Sequence, residues 1–328
     1  MTRSPEFESD PVPDREEFLA DVLAGLSRAP YALSPKYLYD QRGSELFDRI
    51  CELEAYYPTR TELAILEAQG PAMAERIGPD ALVVELGSGS SNKTRALLDH
   101  LDRPAAYIPV EIARNHLGDA AERVRSQYPH MEVVPLCADY TRAFTLPRPA
   151  APFARTLFYF PGSTIGNFDP PDAQAFMARL ADLVGPGGGL LIGVDLVKDA
   201  AILERAYDDP EGVTAAFNRN LLTRLQHELE ADLDPQAFVH RATFNAELGC
   251  VEMHLLSLRR QSVRVGGQEI PFDLGQSLRT ERSYKYTLAG FEALAEEAGW
   301  TVEEVWTDPD RWFSVQLLRI PGEGSEHG

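Results

Sequence analysis

Glu85, Gly87 and Gly89 stand at alternate positions between an apolar run, Ala81–Leu86, and a stretch at 93–101 that reads as a helix. Strand, glycine turn and helix together open a nucleotide-binding α/β unit. Glycine at 87 and 89 lets the turn bend tightly and lets a ligand lie against bare backbone. The helix start adds N–H groups that can meet an anionic or polar ligand group. A dinucleotide fingerprint would need a third glycine where Asn92 stands, and a Walker Gly-Lys-Ser/Thr sequence is absent.

Two further acids follow at useful distances. Glu111 closes an apolar stretch, Ala106–Glu111, roughly 20 residues beyond the loop, where a carboxylate can accept both hydroxyls of a ribose. Asp139, after a third apolar stretch, can receive an adenine amino group, with Tyr140 packing on the ring. The pattern Glu-x-Gly-x-Gly after a strand resembles the S-adenosylmethionine (SAM) loop of Rossmann-like methyltransferases, with Lys93 at the helix start.

The elements that must position these residues alternate regularly. Strands are expected at 81–86, 106–111, 131–137, 156–160 and 190–194, with helices between them, and two late strands at 301–307 and 312–319. Ligands of an open α/β sheet sit beyond the carboxyl ends of its strands. The loops after Leu86, Glu111, Cys137 and Phe160 therefore converge on one cleft. The N-terminal part reads as short helices, with Ser44 as an N-cap, a tyrosine-rich loop from 54 to 62, and a helix at 61–68. From about 198 to 285 the rhythm changes to two helices and then strand-like alternation, with a hairpin at Gly266-Gly267. This segment is expected to be an insertion lying over the cleft.

Composition narrows the function. The formal charge of −20 over 328 residues disfavours a nucleic-acid surface, which needs a basic patch. Cys51, Cys137 and Cys250 are far apart and make no Cys-x-x-Cys pair, so a reducing cytoplasm is the expected setting. The seven histidines show no metal-ligand spacing, and no metal is expected. No apolar run reaches the ~18 residues of a membrane helix, and residues 1–17 lack the character of a signal peptide. No membrane partner is expected, and the chain is read as a monomer.

Longer motifs narrow the family. Tyr56-Tyr-Pro-Thr-Arg-Thr-Glu62, Glu85 to Arg95, Phe160-Pro-Gly-Ser-Thr-Ile-Gly-Asn167, Asp195-Leu-Val-Lys-Asp199, Ala206-Tyr-Asp-Asp209 and Ala215-Ala-Phe-Asn-Arg-Asn220 occur in order. With them the chain resembles the SAM-dependent histidine Nα-methyltransferases, which make hercynine on the way to ergothioneine. The likeness runs from about Leu33 to the last strand. It implies an α/β fold: a Rossmann-like SAM methyltransferase sheet with a second, inserted α+β substrate-binding domain. The expected division is a flexible leader at 1–17, a substrate domain of 18–60 plus 198–285, a SAM domain of 61–197 plus 286–321, and a tail at 322–328.

The resemblance also implies roles. Tyr56, Asn167 and Tyr207 match positions that hold the backbone of the amino-acid substrate, Gly162 adds a main-chain contact, and Tyr39 lies near the amino group. Glu281 and Ser283 match the pair that reads an imidazole. Gly87, Lys93 and Asp139 match SAM-contacting positions. Glu111 stands where relatives carry Asp, and ribose binding is assigned to it.

Methyl transfer is an in-line displacement in which the protein mainly supplies proximity and orientation. The amino group of histidine must lose a proton before each transfer. Tyr39 and Tyr56 are the expected catalytic residues, orienting the neutral amine without a strong general base. Imidazole offers one N–H and one acceptor nitrogen. A carboxylate at 281 and a hydroxyl at 283, on one side of an extended segment, complement both. The expected partners are L-histidine and its mono- and dimethylated intermediates. Three readings compete: the same chemistry on another amino acid or amine, a SAM- or nucleotide-binding regulator without turnover, and an NAD oxidoreductase.

Overall fold

The computed structural model describes residues 15–89, 92–112, 114–185 and 187–320. In chain order the first elements are α1 (Arg15–Gly25), β1 (Tyr31–Ala32), α2 (Gln41–Glu52) and α3 (Tyr57–Ile77). The alternating part comprises β2 (Ala81–Leu86), α4 (Asn92–Leu98), β3 (Ala106–Glu111), α5 (Arg114–Gln127), β4 (Glu132–Val133), β5 (Leu136–Cys137), β6 (Arg155–Phe160), α6 (Pro170–Val184) and β7 (Gly189–Asp195). Then come α7 (Ala200–Tyr207), α8 (Val213–Glu228), β8 (Phe238–Asn245), β9 (Cys250–Ser257), β10 (Gln261–Val265), β11 (Gln268–Phe272) and β12 (Ser277–Tyr284). Helix α9 (Leu288–Glu297) and strands β13 (Thr301–Thr307) and β14 (Phe313–Arg319) close the chain.

Among the described residues two compact units emerge: 58–197 with 286–320, and 15–57 with 198–285. The first is an eight-stranded sheet in the order β13-β14-β7-β6-β2-β3-β4, with β5 also paired to β3. Strands β2 to β7 run parallel, whereas β14 lies antiparallel between β7 and β13. This is the Rossmann-like methyltransferase arrangement. Neighbours leave β2 in both directions, so the loop after β2 sits at the point where the strand order reverses, the usual ligand position.

Every residue of β2 is buried, as a strand covered on both faces requires. Leu82, Val84 and Leu86 join α6 and α9 in one apolar layer, and Ala81 and Val83 join α3, α4 and α5 in the other. Strand alternation places Glu85 with the second set, in a layer of mainly apolar side chains that also holds Thr94 and Glu62.

The second unit holds a four-stranded sheet, β1-β12-β9-β8, and the hairpin β10-β11. Helix α8 packs on α2 and β8. The expected turn at Gly266-Gly267 joins the hairpin, both glycines having positive φ.

Four expectations need correction. The first helix begins at Arg15, three residues before the expected start at 18, and the rest of the stretch read as a leader, 1–14, lies outside the described residues. Helix α2 starts at Gln41, capped by the Asp40 carboxylate accepting from Gly43 N–H at 2.7 Å, so Ser44 is no cap. The expected 54–62 loop ends early, because α3 begins at Tyr57 and runs through Pro71 to Ile77. Pro58 falls where a helix needs no N–H, and burial of Leu66, Met73 and Ile77 carries the helix past Pro71. The strand expected at 131–137 is two short pairings, β4 and β5, on β3.

Candidate active site

In the sheet unit, the turn after β2 brings Gly87 to φ +76°, a left-handed conformation that favours glycine. A Cβ there would lie 3.7 Å from the Tyr140 hydroxyl. Tyr140 rests edge-on against Phe160, ring centroids 5.7 Å apart, and the charges of Glu111 and Asp139 reach it. Burial first, then those carboxylates, hold its phenol well above the usual range. Gly87, Glu111, Asp139 and Tyr140 therefore meet at the carboxyl edge of the sheet. Gly89 is exposed in the same turn.

Several of these groups already have work. Glu111 Oε1 accepts from the Ile112 N–H at 2.9 Å. Asp139 Oδ1 accepts from Thr141 N and Oγ1 at 2.9 and 2.5 Å, which folds the turn after β5. Glu85 is 2% exposed, and its Oε2 accepts from Tyr107 OH at 2.5 Å and Thr94 Oγ1 at 2.7 Å. Burial pushes its carboxyl up to about 7, against the lowering effect of both hydroxyls and Lys93. Glu85 thus ties β3 and α4 to the loop from within the interior layer, the consequence of its odd position in β2.

Lys93 pairs at 2.6 Å with Glu62, a fully buried carboxylate of α3 that sequence reading passed over. Glu62 also accepts the Gly162 N–H at 2.8 Å. A side chain at Gly193 would overlap Glu62 Oε1, so the glycine in β7 leaves room for this acid. One carboxylate therefore joins the start of α4 to the loop after β6. That loop turns on Gly162 (φ +81°) and Ser163 (φ +56°), whose Oγ accepts from the Asp195 N–H, and carries Asn167 at the end of a 3-10 turn.

The remaining expected residues, Tyr39, Tyr56, Tyr207, Glu281 and Ser283, belong to the second unit. The Tyr39 ring packs edge-on against Phe47 and Phe217, each 5.5 Å away. Its neighbour Asp40 is held by Asn220 Nδ2 of α8 at 2.7 Å. Tyr56 lies 6.0 Å from Tyr207 ring to ring. Burial, reinforced by Tyr207, Cys51, Tyr39 and Glu281, keeps the Tyr56 phenol well above its usual pKa, so it stays protonated.

Tyr207 ends α7, where its carbonyl accepts from His240 Nε2 at 2.8 Å. The Asn218 amide donates to His240 Nδ1, which fixes that tautomer, and burial holds the imidazole neutral. On β12, Glu281 and Ser283 share one side, opposite Met253 and Val251 of β9. Glu281 is 6% exposed, and burial raises its carboxyl to about 7, with Lys285 pulling the other way. Lys285 is the second residue that sequence reading passed over. Its Nζ donates to Ser283 Oγ and Tyr207 OH, both at 2.8 Å, and those two hydroxyls are 2.8 Å apart. Continuing the alternation from 281 and 283 to 285 would have found it.

The model of the family described as histidine-specific, SAM-dependent methyltransferases matches residues 18–320. The chain belongs to that family. A histidine N-alpha-methyltransferase of Mycobacterium tuberculosis is 43% identical over 303 residues, covering 90% of this chain and 93% of the relative. The enzyme of the same name from Mycolicibacterium smegmatis is 42% identical over 308 residues, covering 92% and 94%. Among solved structures, a possible exported protein from Bordetella parapertussis is similar in fold, with a TM-score of 0.50 at 15% identity over 92% of this chain and 86% of that one.

SAM is the methyl donor of this methyltransferase family, and the turn after β2 fits it. Gly87 leaves the space a Cβ would fill beside Tyr140, and acids stand at the ends of β3 and β5. Among the described residues, no cluster of three or more His, Cys, Asp or Glu could hold a metal ion. No helix there is long and apolar enough to cross a membrane.

Proposed function

We propose that this chain transfers three methyl groups in succession from SAM to the α-amino group of L-histidine. Each transfer releases S-adenosylhomocysteine, and the end product is trimethylhistidine (hercynine), the first step toward ergothioneine. The observation that carries the reading is Glu281, a carboxylate nine-tenths buried that accepts no hydrogen bond among the described residues, beside the hydroxyl of Ser283 on the same strand face. A buried acid is costly unless something donates to it, and an imidazole N–H can.

SAM supplies a methyl group activated by its sulfonium. In this reading Gly87, Gly89, Lys93, Glu111, Asp139 and Tyr140 bind it, with Glu85 holding the loop. The sheet unit is then the donor domain, and the unit of 15–57 with 198–285 is the acceptor domain. Tyr56, Tyr207, Gly162 and Asn167 hold the amino-acid backbone, and Glu281 and Ser283 hold the ring. Tyr39 and Tyr56 orient the amine. Tyr56, kept protonated by burial, cannot serve as an ionised base, so the proton leaves to solvent; in the first two transfers the phenol accepts an N–H and fixes the lone pair, and in the third, where no N–H is left, packing alone orients the amine. The mono- and dimethylated amino acids are intermediates of the same site. The same reading has the chain act as a cytoplasmic monomer.

Incubation with SAM and a panel of amino acids, followed by mass spectrometry, tests it. Mono-, di- and trimethylhistidine are expected in sequence. SAM binding without any methylated product would overturn turnover, and a stronger signal from another amino acid would replace the substrate.

A further inference from the structure

An ammonium group has hydrogens to give and no lone pair to offer. Lys285 Nζ therefore donates to Ser283 Oγ and to Tyr207 OH, each at 2.8 Å. It does so 5% exposed, with its Nζ 4.7 Å from the Tyr207 ring centroid. Between the two hydroxyls one must donate to the other across 2.8 Å. Either hydroxyl can be the donor at this distance, and we assign the donation to Tyr207 because a phenol is the more acidic of the two. The Ser283 oxygen then accepts twice, from Lys285 and from Tyr207, and both of its lone pairs are taken. What it retains is its own hydrogen, polarised by the cation behind it.

We propose that Lys285 is a positioning residue that sets Ser283 as an obligatory hydrogen-bond donor, so that the ring site selects a substrate ring with an acceptor nitrogen. This rests on the reading that Glu281 and Ser283 face the substrate ring. In that frame Glu281 takes the ring N–H, and the Ser283 hydrogen meets the unprotonated nitrogen. A ring with N–H but no acceptor nitrogen leaves the Ser283 donor facing carbon. A site with committed polar groups rejects such ligands more strongly than one whose hydroxyl can turn.

The test compares histidine with the two pyrrolylalanine isomers, which keep one ring N–H and lack the acceptor nitrogen. Wild type is expected to favour histidine over the better isomer by roughly 100-fold in kcat/KM. In Lys285→Met that preference should shrink to about 10-fold or less, through a higher KM for histidine with the pyrrole substrate little affected. Lys285→Gln, which restores a donor while adding an acceptor, should fall between the two. A merely structural role would lower both substrates together and leave the ratio of wild type, and that result in both variants would overturn the proposal. Ser283→Ala separates this failure from failure of the underlying reading. If it collapses the ratio while the Lys285 variants do not, Lys285 alone is misassigned. If it also keeps the wild-type ratio, Ser283 does not face the ring.

Discussion

Glu85 in the sheet unit and Glu281 in the second unit are both buried carboxyl groups pushed up to about 7 by desolvation, yet they are satisfied differently. Glu85 accepts two short bonds from Tyr107 and Thr94, protein to protein. Glu281 has a cation in its neighbourhood, Lys285, and no hydrogen bond to its oxygens among the described residues. A similar shift, raised by burial in both, thus accompanies a completed internal network in one region and an incomplete one in the other. The completed network belongs to folding, and in the proposed reading the incomplete one is completed by the substrate.

The largest effect that follows is on Glu281. Glu281→Ala should lower kcat/KM for histidine by about 10²–10³-fold, while the affinity for SAM, measured by calorimetry, stays close to wild type. If histidine turnover survives, the contrast between the two acids collapses. Glu85→Leu should act on stability instead, costing about 2 kcal/mol in urea unfolding, because the hydroxyls of Tyr107 and Thr94 lose their acceptor.

The pH dependence sharpens the contrast. A carboxyl raised from 4.5 to about 7 on folding contributes stability that is complete below 4.5 and is lost as pH rises through about 7. Glu281→Gln removes that loss, so its melting temperature should exceed that of wild type at pH 8 and match it at pH 5. Equal melting curves at pH 8 would mean that the buried charge is relieved by something other than a ligand. The smallest effect is expected at Gly87, where alanine at φ +76° should cost about 1 kcal/mol and weaken SAM binding several-fold.

The centre of the sheet was legible because β2, β3 and β7 are buried on both faces and read as apolar runs, with a glycine turn after β2. Those features are local, and local features survive in a linear reading. The start of α3 was not legible, since Tyr57-Pro58 looks like a turn until burial on Leu66 and Met73 is known. Glu62 and Lys285 were missed for a related reason. Each is an ordinary charged residue whose meaning comes from partners distant in sequence or on another element, such as Gly162, Gly193 and Tyr207. Glu85 adds the converse case. It was read with the glycine loop as part of the cofactor site, and the parity of its strand position also ties it into the interior through Tyr107 and Thr94.

The ends of the long excursion from 198 to 285 are tied where they leave the sheet unit. Leu196 bridges Tyr286, Tyr286 N–H donates to the Asp195 carbonyl at 3.0 Å, and Val197 N–H donates to the Tyr286 carbonyl at 3.0 Å. An insert whose two ends are already hydrogen-bonded side by side can lengthen, shorten or change composition at little entropic cost to its host, because loop closure grows only logarithmically with length. Such a stitch makes the host strand register indifferent to what is sewn between its ends. The insert can then drift over generations while the sheet that holds the glycine loop is inherited intact.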